Sequence, residues 1–358
     1  MMNTLRGIVA CCGIGDSIEK IEQYIDNAGK SGMNAVFTSL QIPEANKKTM
    51  LKDFPLMTAA AHRNGMKVCA DYGEDSTRLF GFTLDDLKSI RSLGIDILRL
   101  DGSYTNEQAA ELTFNKDGMD IQLNAADPFL LEDLDSLEIN PERTYFCHNY
   151  YPMRYTGETW KKVKKHNDII RSHGFRVAAF VPSQTNHRAP LHLGLPTLER
   201  HRQMDPKTAA QELIMLGCED IFFGDDFPSC AEMLSIASLD SNVVDFRIGS
   251  FVSQELEKWL CDRTFRQRQV DLDAFIRGHI GPEETYKADL TYATSPMRKA
   301  GDIFIARPSM GRYTGELQIA RTDLPADENF ATVARVADCD LPLLETYRDR
   351  RNFRLLKA

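Results

Sequence analysis

The sequence predicts an α/β fold, a (β/α)8 TIM-like barrel followed by a smaller, mostly β domain, and three observations lead there. Short apolar runs alternate eight times with longer amphipathic stretches over the first 240 residues, as parallel strands covered on both faces do. The stretches between the runs open on N-cap residues and close on glycine, the start and stop chemistry of helices. Beyond Leu239 the alternation gives way to strand-like runs separated by turn-rich pieces, which read as a separate β domain. Eight βα units in succession close into a barrel, with a doubly wound open sheet as the alternative. The chain accordingly divides into residues 1–240 and 241–358.

The eight runs are residues 7–11, 35–40, 67–71, 95–101, 120–124, 144–149, 176–181 and 220–224. Before the second run, Asp16 and Glu19 have capping-box spacing, Ile18, Ile21 and Ile25 share a helix face, and Gly29 and Gly32 end the helix. Thr83 with Asp86 repeats the device ahead of Leu87, Ile90, Leu93 and Gly94. Asp205 is placed as an N-cap and Pro206 at the first helical position; Ala209, Leu213 and Leu216 form a stripe, and Gly217 stops it. In the second domain the strand-like runs are 243–251, 274–277, 302–307, 316–320 and 332–336. The pentapeptide Arg-Tyr-Thr-Gly-Glu occurs at 154–158 and again at 312–316, in contexts too different for a domain repeat.

The 43 Lys and Arg against 52 Asp and Glu leave a net charge of −9. That balance supplies no general attraction for nucleic acid or an anionic membrane, so an anionic ligand must meet a local basic cluster. Eight cysteines without a CxxC pair read as free thiols in a reducing cytosol. The apolar residues 7–10 are too few for a signal peptide, and no apolar stretch is long enough for a membrane span. A cytoplasmic protein is the expectation.

In a barrel of this kind the active site lies where strands run into the following loops. The polar residues there are Asp71, Asp101, Asn124, His148, Asn149 and Asp225. Period-two alternation points Ile97, Arg99 and Asp101 to the axis, and a nearby arginine would keep Asp101 ionised, unless the two make only a structural ion pair. A second signal is the loop 182–204, about twenty residues where two to six are usual. It carries His187, His192, His201, Arg188, Arg200, Arg202 and Glu199, a basic loop in an acidic protein, suited to phosphate or carboxylate. His187, His192, His201, Glu199 and Asp225 are metal-ligand types, but they lack HxH or HExxH spacing, so a metal-free site without cofactor is expected. Walker, dinucleotide and GxSxG motifs are absent.

Five segments in order carry a resemblance over nearly the whole chain: Leu98-Arg99-Leu100-Asp101-Gly102, Gln122-Leu123-Asn124-Ala125, Cys147 to Pro152 with Tyr155-Thr156-Gly157, Gly194 to Arg202, and Arg298 to Asp302 with Arg312 to Gln318. They resemble a bacterial family of 6-phospho-N-acetylmuramidases. The resemblance implies a TIM-like barrel followed by a cyclophilin-like domain, and cytoplasmic hydrolysis of the β-1,4 bond between 6-phospho-N-acetylmuramic acid and N-acetylglucosamine in peptidoglycan recycling. For such a glycosidase Asp101 and Glu199 are the expected carboxylate pair, with Glu199 as the acid because a closing loop would desolvate it. The substrate's acetamido group could itself be the nucleophile, one carboxylate then orienting it. Asp71 and Asp225 stand in reserve at the binding site. His148, Asn149, Asn124 and Tyr151 are expected to hold sugar hydroxyls and the acetamido group, and Arg202 with His201 the anions. Arg312 and Tyr313 of the second domain are expected to reach the substrate's anionic end. Rival readings are a metal-dependent barrel isomerase or hydrolase using the histidines, and a sugar-phosphate-binding protein without catalysis. A homodimer is a further expectation.

Overall fold

The computed structural model describes residues 4–102, 104–268, 272–279, 286, 290, 297–348 and 350–358. Two compact units, Met1–Ser238 and Leu239–Ala358, are each described by itself. In the first, eight parallel strands pair in sequence order and the last closes on the first. They are β1 (Arg6–Val9), β2 (Ala35–Ser39), β3 (Lys67–Tyr72), β4 (Ile97–Leu100), β5 (Asp120–Asn124), β6 (Thr144–Cys147), β7 (Arg176–Val181) and β8 (Asp220–Asp226). The fold is the predicted α/β barrel, with a mostly β unit after it.

Alternation along each strand fills the barrel with one buried cluster that includes Val9, Phe37, Cys69, Ile97, Tyr145, Cys147, Phe180 and Phe222. Gly7 belongs to that packing, since a Cβ there would lie 2.1 Å from the Phe222 ring. Register then carries polar residues to the C-terminal end on the same face: Asp71 pairs with Arg99 across β3 and β4, and Arg99 with Gln122 across β4 and β5.

Two helix starts differ from expectation. Ser17, not Asp16, caps the helix Ile18–Lys30 by accepting from Lys20 N, while Asp16 pairs with Lys20 Nζ at 2.5 Å. Asp86, not Thr83, caps Leu87–Ser92, accepting from Ser89 N at 3.0 Å. In both, the residue adjacent to the first helical turn has the shorter reach to its free N–H groups. Asp205 and Pro206 start Pro206–Met215 as the sequence predicts, and Gly217 follows it at φ +98°.

Seven strands of the second unit form a closed barrel in the spatial order Thr264–Gln267, Phe275–His279, Leu317–Ala320, Asp302–Ala306, Phe330–Val336, Val243–Phe251 and Asn352–Lys357. Two of these, Thr264–Gln267 and Asn352–Lys357, escape the sequence reading. The latter runs parallel to Val243–Phe251, from Asn352 opposite Val243 to Lys357 opposite Ile248, and antiparallel to Thr264–Gln267. Among the described residues, no helix is long and apolar enough to cross a membrane.

Candidate active site

The C-terminal ends of β3 and β4 bring two carboxyl groups together. Asp71 is buried at the end of β3, and its Oδ1 accepts from Leu40 N at 2.9 Å. Burial, with a further push from the charge of Asp101, raises the Asp71 carboxyl to about 6 against the pull of the Leu40 N–H and Arg99. Asp101 directly follows β4 and is exposed; Gln41 Nε2 donates to its Oδ2 at 2.8 Å and to its backbone oxygen at 3.0 Å. Gly73 makes this approach possible, because a Cβ there would lie 1.9 Å from Asp101 O and 2.6 Å from Gln41 Oε1. Arg99, buried at the axis, donates to Asn149 Oδ1 at 2.5 Å and to Cys147 O at 3.4 Å. Arg99 and Asn149 therefore face the mouth as expected, with Asn124 at the end of β5, where its Oδ1 accepts from Ala126 N at 2.9 Å. Tyr151 donates its hydroxyl to Glu158 Oε1 at 2.8 Å.

Several of the expected site residues point away from the mouth or are bonded within the protein. His148 follows Cys147, whose side chain lies in the barrel interior, so alternation turns the imidazole outward, onto the helix Trp160–Ser172. There its Nε2 meets Asn167 Oδ1 at 2.8 Å, and burial lowers its pKa to about 4. It contacts no open space at the mouth. Glu199 is gripped by Arg202 through Nε at 2.8 Å and Nη2 at 2.7 Å, and by Gly157 N at 2.9 Å. These bonds, the arginine's first, hold its carboxyl down at about 2. The bidentate arginine outweighs desolvation, the opposite of the raised carboxyl expected of an acid at this position.

The proposed anion binders are committed as well. Arg202 Nη1 donates to Gly194 O at 2.9 Å and Nη2 to Met153 O at 2.9 Å, which completes its role as a buried tie between two loops. His201 is fully buried, with Nε2 2.8 Å from Glu212 Oε2, and Arg200 Nε donates to the same oxygen at 2.7 Å. Asp225 accepts from Ser183 N, Arg188 N and Leu195 N at 2.9 to 3.2 Å, so its oxygens staple the loop instead of meeting a ligand. Glu232 adds a second staple through Gln184 N at 2.6 Å and Ser183 Oγ at 3.1 Å. The long loop is thus fastened at several points by carboxylates from outside it.

That fastening shapes a cavity of about 620 Å³ lined by Ile14, Lys20, Ile42, His187, Arg188 and Asp226, among others. Of its features, Arg188 was named from sequence only as part of the basic loop, and Asp226 and Lys20 were not assigned. The Arg188 guanidinium lies 5.0 Å over the Tyr150 ring, which itself packs on the barrel core. Asp226 is almost fully buried, and burial raises its carboxyl to about 7 although Arg188 pulls it down. Lys20 Nζ stands 4.4 Å over the Phe227 ring. The consecutive Asp225-Asp226 pair was the available signal; β8 runs two residues past Gly224, with an irregular register against β1 between Gly7 and Val9. Among the described residues, no group of three or more His, Cys, Asp or Glu is placed to hold a metal ion. In the second unit, Arg312 Nη2 donates to Tyr313 Oη at 2.8 Å, and Arg277 lies 5.7 Å over the Tyr313 ring.

Two family models match the chain: 6-phospho-N-acetylmuramidase, N-terminal, over residues 13–238, and 6-phospho-N-acetylmuramidase, C-terminal, over residues 244–356. Among solved structures, an uncharacterized B. cereus protein aligns with a TM-score of 0.85 at 24% identity, covering 99% of this chain and 100% of that one. A conserved Enterococcus faecalis protein of unknown function aligns with a TM-score of 0.70 at 27% identity, covering 99% of this chain and 96% of that one. No curated protein matches.

Proposed function

Since the chain belongs to the 6-phospho-N-acetylmuramidase family and is therefore a glycosidase, we propose that it hydrolyses the β-1,4 bond between 6-phospho-N-acetylmuramic acid and N-acetylglucosamine, in cytoplasmic recycling of peptidoglycan. The observation that carries the chemistry is the Asp71 and Asp101 pair at the ends of neighbouring strands, one buried and one exposed. A glycosidase needs one group to protonate the leaving oxygen and one carboxylate to stabilise or attack the anomeric carbon. Asp71, with its carboxyl raised to about 6, takes the first role. Asp101, positioned by Gln41, takes the second. Asn124 and Asn149 bind sugar hydroxyls beside them. The substrate's phosphate and lactyl carboxylate meet the side of the cavity lined by Lys20, His187 and His192, where Lys20 exchanges part of its pairing with Asp16 for the ligand's charge.

The assignment has a pH signature. An acid works in its protonated form, which for Asp71 is lost as pH rises through about 6. On the disaccharide, kcat/KM is expected to fall along a limb centred near that value. On an aryl glycoside whose leaving group needs no proton, the same limb should flatten. A disaccharide profile level from pH 5 to pH 8 contradicts the role given to Asp71.

A further inference from the structure

The cavity contains a polar pair that the two catalytic carboxyl groups do not use. Asp226 is 7% exposed, and its Oδ1 has no hydrogen-bond partner among the described residues. The same holds for Arg188 Nη1. Both residues line the same cavity, together with Ile14 and Ile42. A buried polar atom without a partner is costly, and the cost is recovered when a ligand supplies the missing bond. The surroundings hold both residues in place: Arg188 is fixed by its backbone bond to Asp225 and by Tyr150 beneath it, and Asn186 Nδ2 donates to Asp226 O at 2.8 Å. Phe227, next in the chain, sits at φ +52°, a left-handed backbone that a bulky side chain rarely adopts and that occurs where the surrounding structure imposes it.

A ligand group that satisfies this pair must offer a donor to the carboxylate and an acceptor to the guanidinium. A phosphate offers acceptors alone and would set its charge against Asp226. A secondary amide offers one N–H and one C=O on opposite edges, one for each partner, and an N-acetyl group adds a methyl suited to an apolar wall. We infer that Asp226 and Arg188 form the acetamido subsite, the carboxylate accepting the amide N–H of an N-acetylated sugar and the guanidinium donating to its carbonyl oxygen, with the methyl against Ile14 and Ile42. The inference rests on the proposed substrate class, and it makes these residues binders of the sugar's C2 substituent.

Calorimetric titration of the full chain at pH 8 with N-acetylglucosamine 6-phosphate and with glucose 6-phosphate tests it, because the two differ only at C2. The wild type is expected to prefer the N-acetyl sugar by about ten- to a hundred-fold, the worth of a hydrogen bond to a charged group. Asp226→Ala and Arg188→Met should each remove most of that preference and leave the affinity for glucose 6-phosphate unchanged. Asp226→Asn, which keeps an acceptor oxygen and the side-chain volume, should retain part of it. Equal affinities in the wild type, no binding of either sugar, or variants that weaken both sugars alike would overturn the subsite. Cleavage of the phosphorylated disaccharide, measured alongside, separates the two readings. Cleavage without acetamido preference ends the subsite alone, and preference without cleavage ends the glycosidase substrate assignment alone.

Discussion

Asp71→Asn and Asp101→Asn are each expected to fold as the wild type does and to lose turnover by about 10² to 10⁴, the usual contribution of a positioned acid or base. Folding should survive because an amide oxygen at position 71 still accepts from Leu40 N, and because Asp101 is exposed with Gln41 as its side-chain partner. Turnover should not, because an amide neither donates the proton needed by the leaving oxygen nor carries the charge needed at the anomeric carbon. Initial rates on the phosphorylated disaccharide, set against melting temperatures, give the comparison. A folded variant at either position that keeps a tenth or more of the wild-type rate removes that residue from the pair.

Arg202→Met is expected to act on stability, the opposite of what an anion-binding arginine would do. The change leaves Glu199 without its bidentate partner and the carbonyls of Gly194 and Met153 without their donors. Arg202 is buried and Glu199 partly exposed, so the cost lies at or below the low end of the range of about 3 to 5 kcal/mol for a fully buried pair. In a unit of this size that is a fall of about 5 to 10 °C in melting temperature. Thermal unfolding of the two proteins at equal concentration measures it. An unchanged melting temperature with a raised KM would return Arg202 to the substrate.

The barrel was legible because its signal is local. Eight apolar runs and the caps between them each depend on residues within a few positions of one another, and Arg99 and Asp101 follow from the period of two alone. His148 shows how fine that reading must be: in a strand, one residue decides between axis and helix layer, and Cys147 and Asn149 had taken the axis. The loop 182–204 was legible only in part, for a different reason. Its basic residues were visible, but the carboxylates that claim its side chains and backbone, Glu212, Asp225 and Glu232, lie beyond it in the chain. Only Glu199 with Arg202, three residues apart, offered a nearby clue to a committed pair. In the second unit, Asn352–Lys357 alternates weakly and becomes a strand through its parallel pairing with Val243–Phe251 more than a hundred residues earlier, a contact that no window of sequence contains.

The most direct test compares two substrates under one assay: the disaccharide of N-acetylmuramic acid and N-acetylglucosamine with and without its 6-phosphate, with products identified by mass. The account predicts release of 6-phospho-N-acetylmuramic acid and N-acetylglucosamine from the phosphorylated compound, at an efficiency about ten- to a hundred-fold above that for the other, the worth of a charge-assisted hydrogen bond to the phosphate. No cleavage of the phosphorylated disaccharide by folded protein at stoichiometric concentration, or equal efficiency on both, would contradict it.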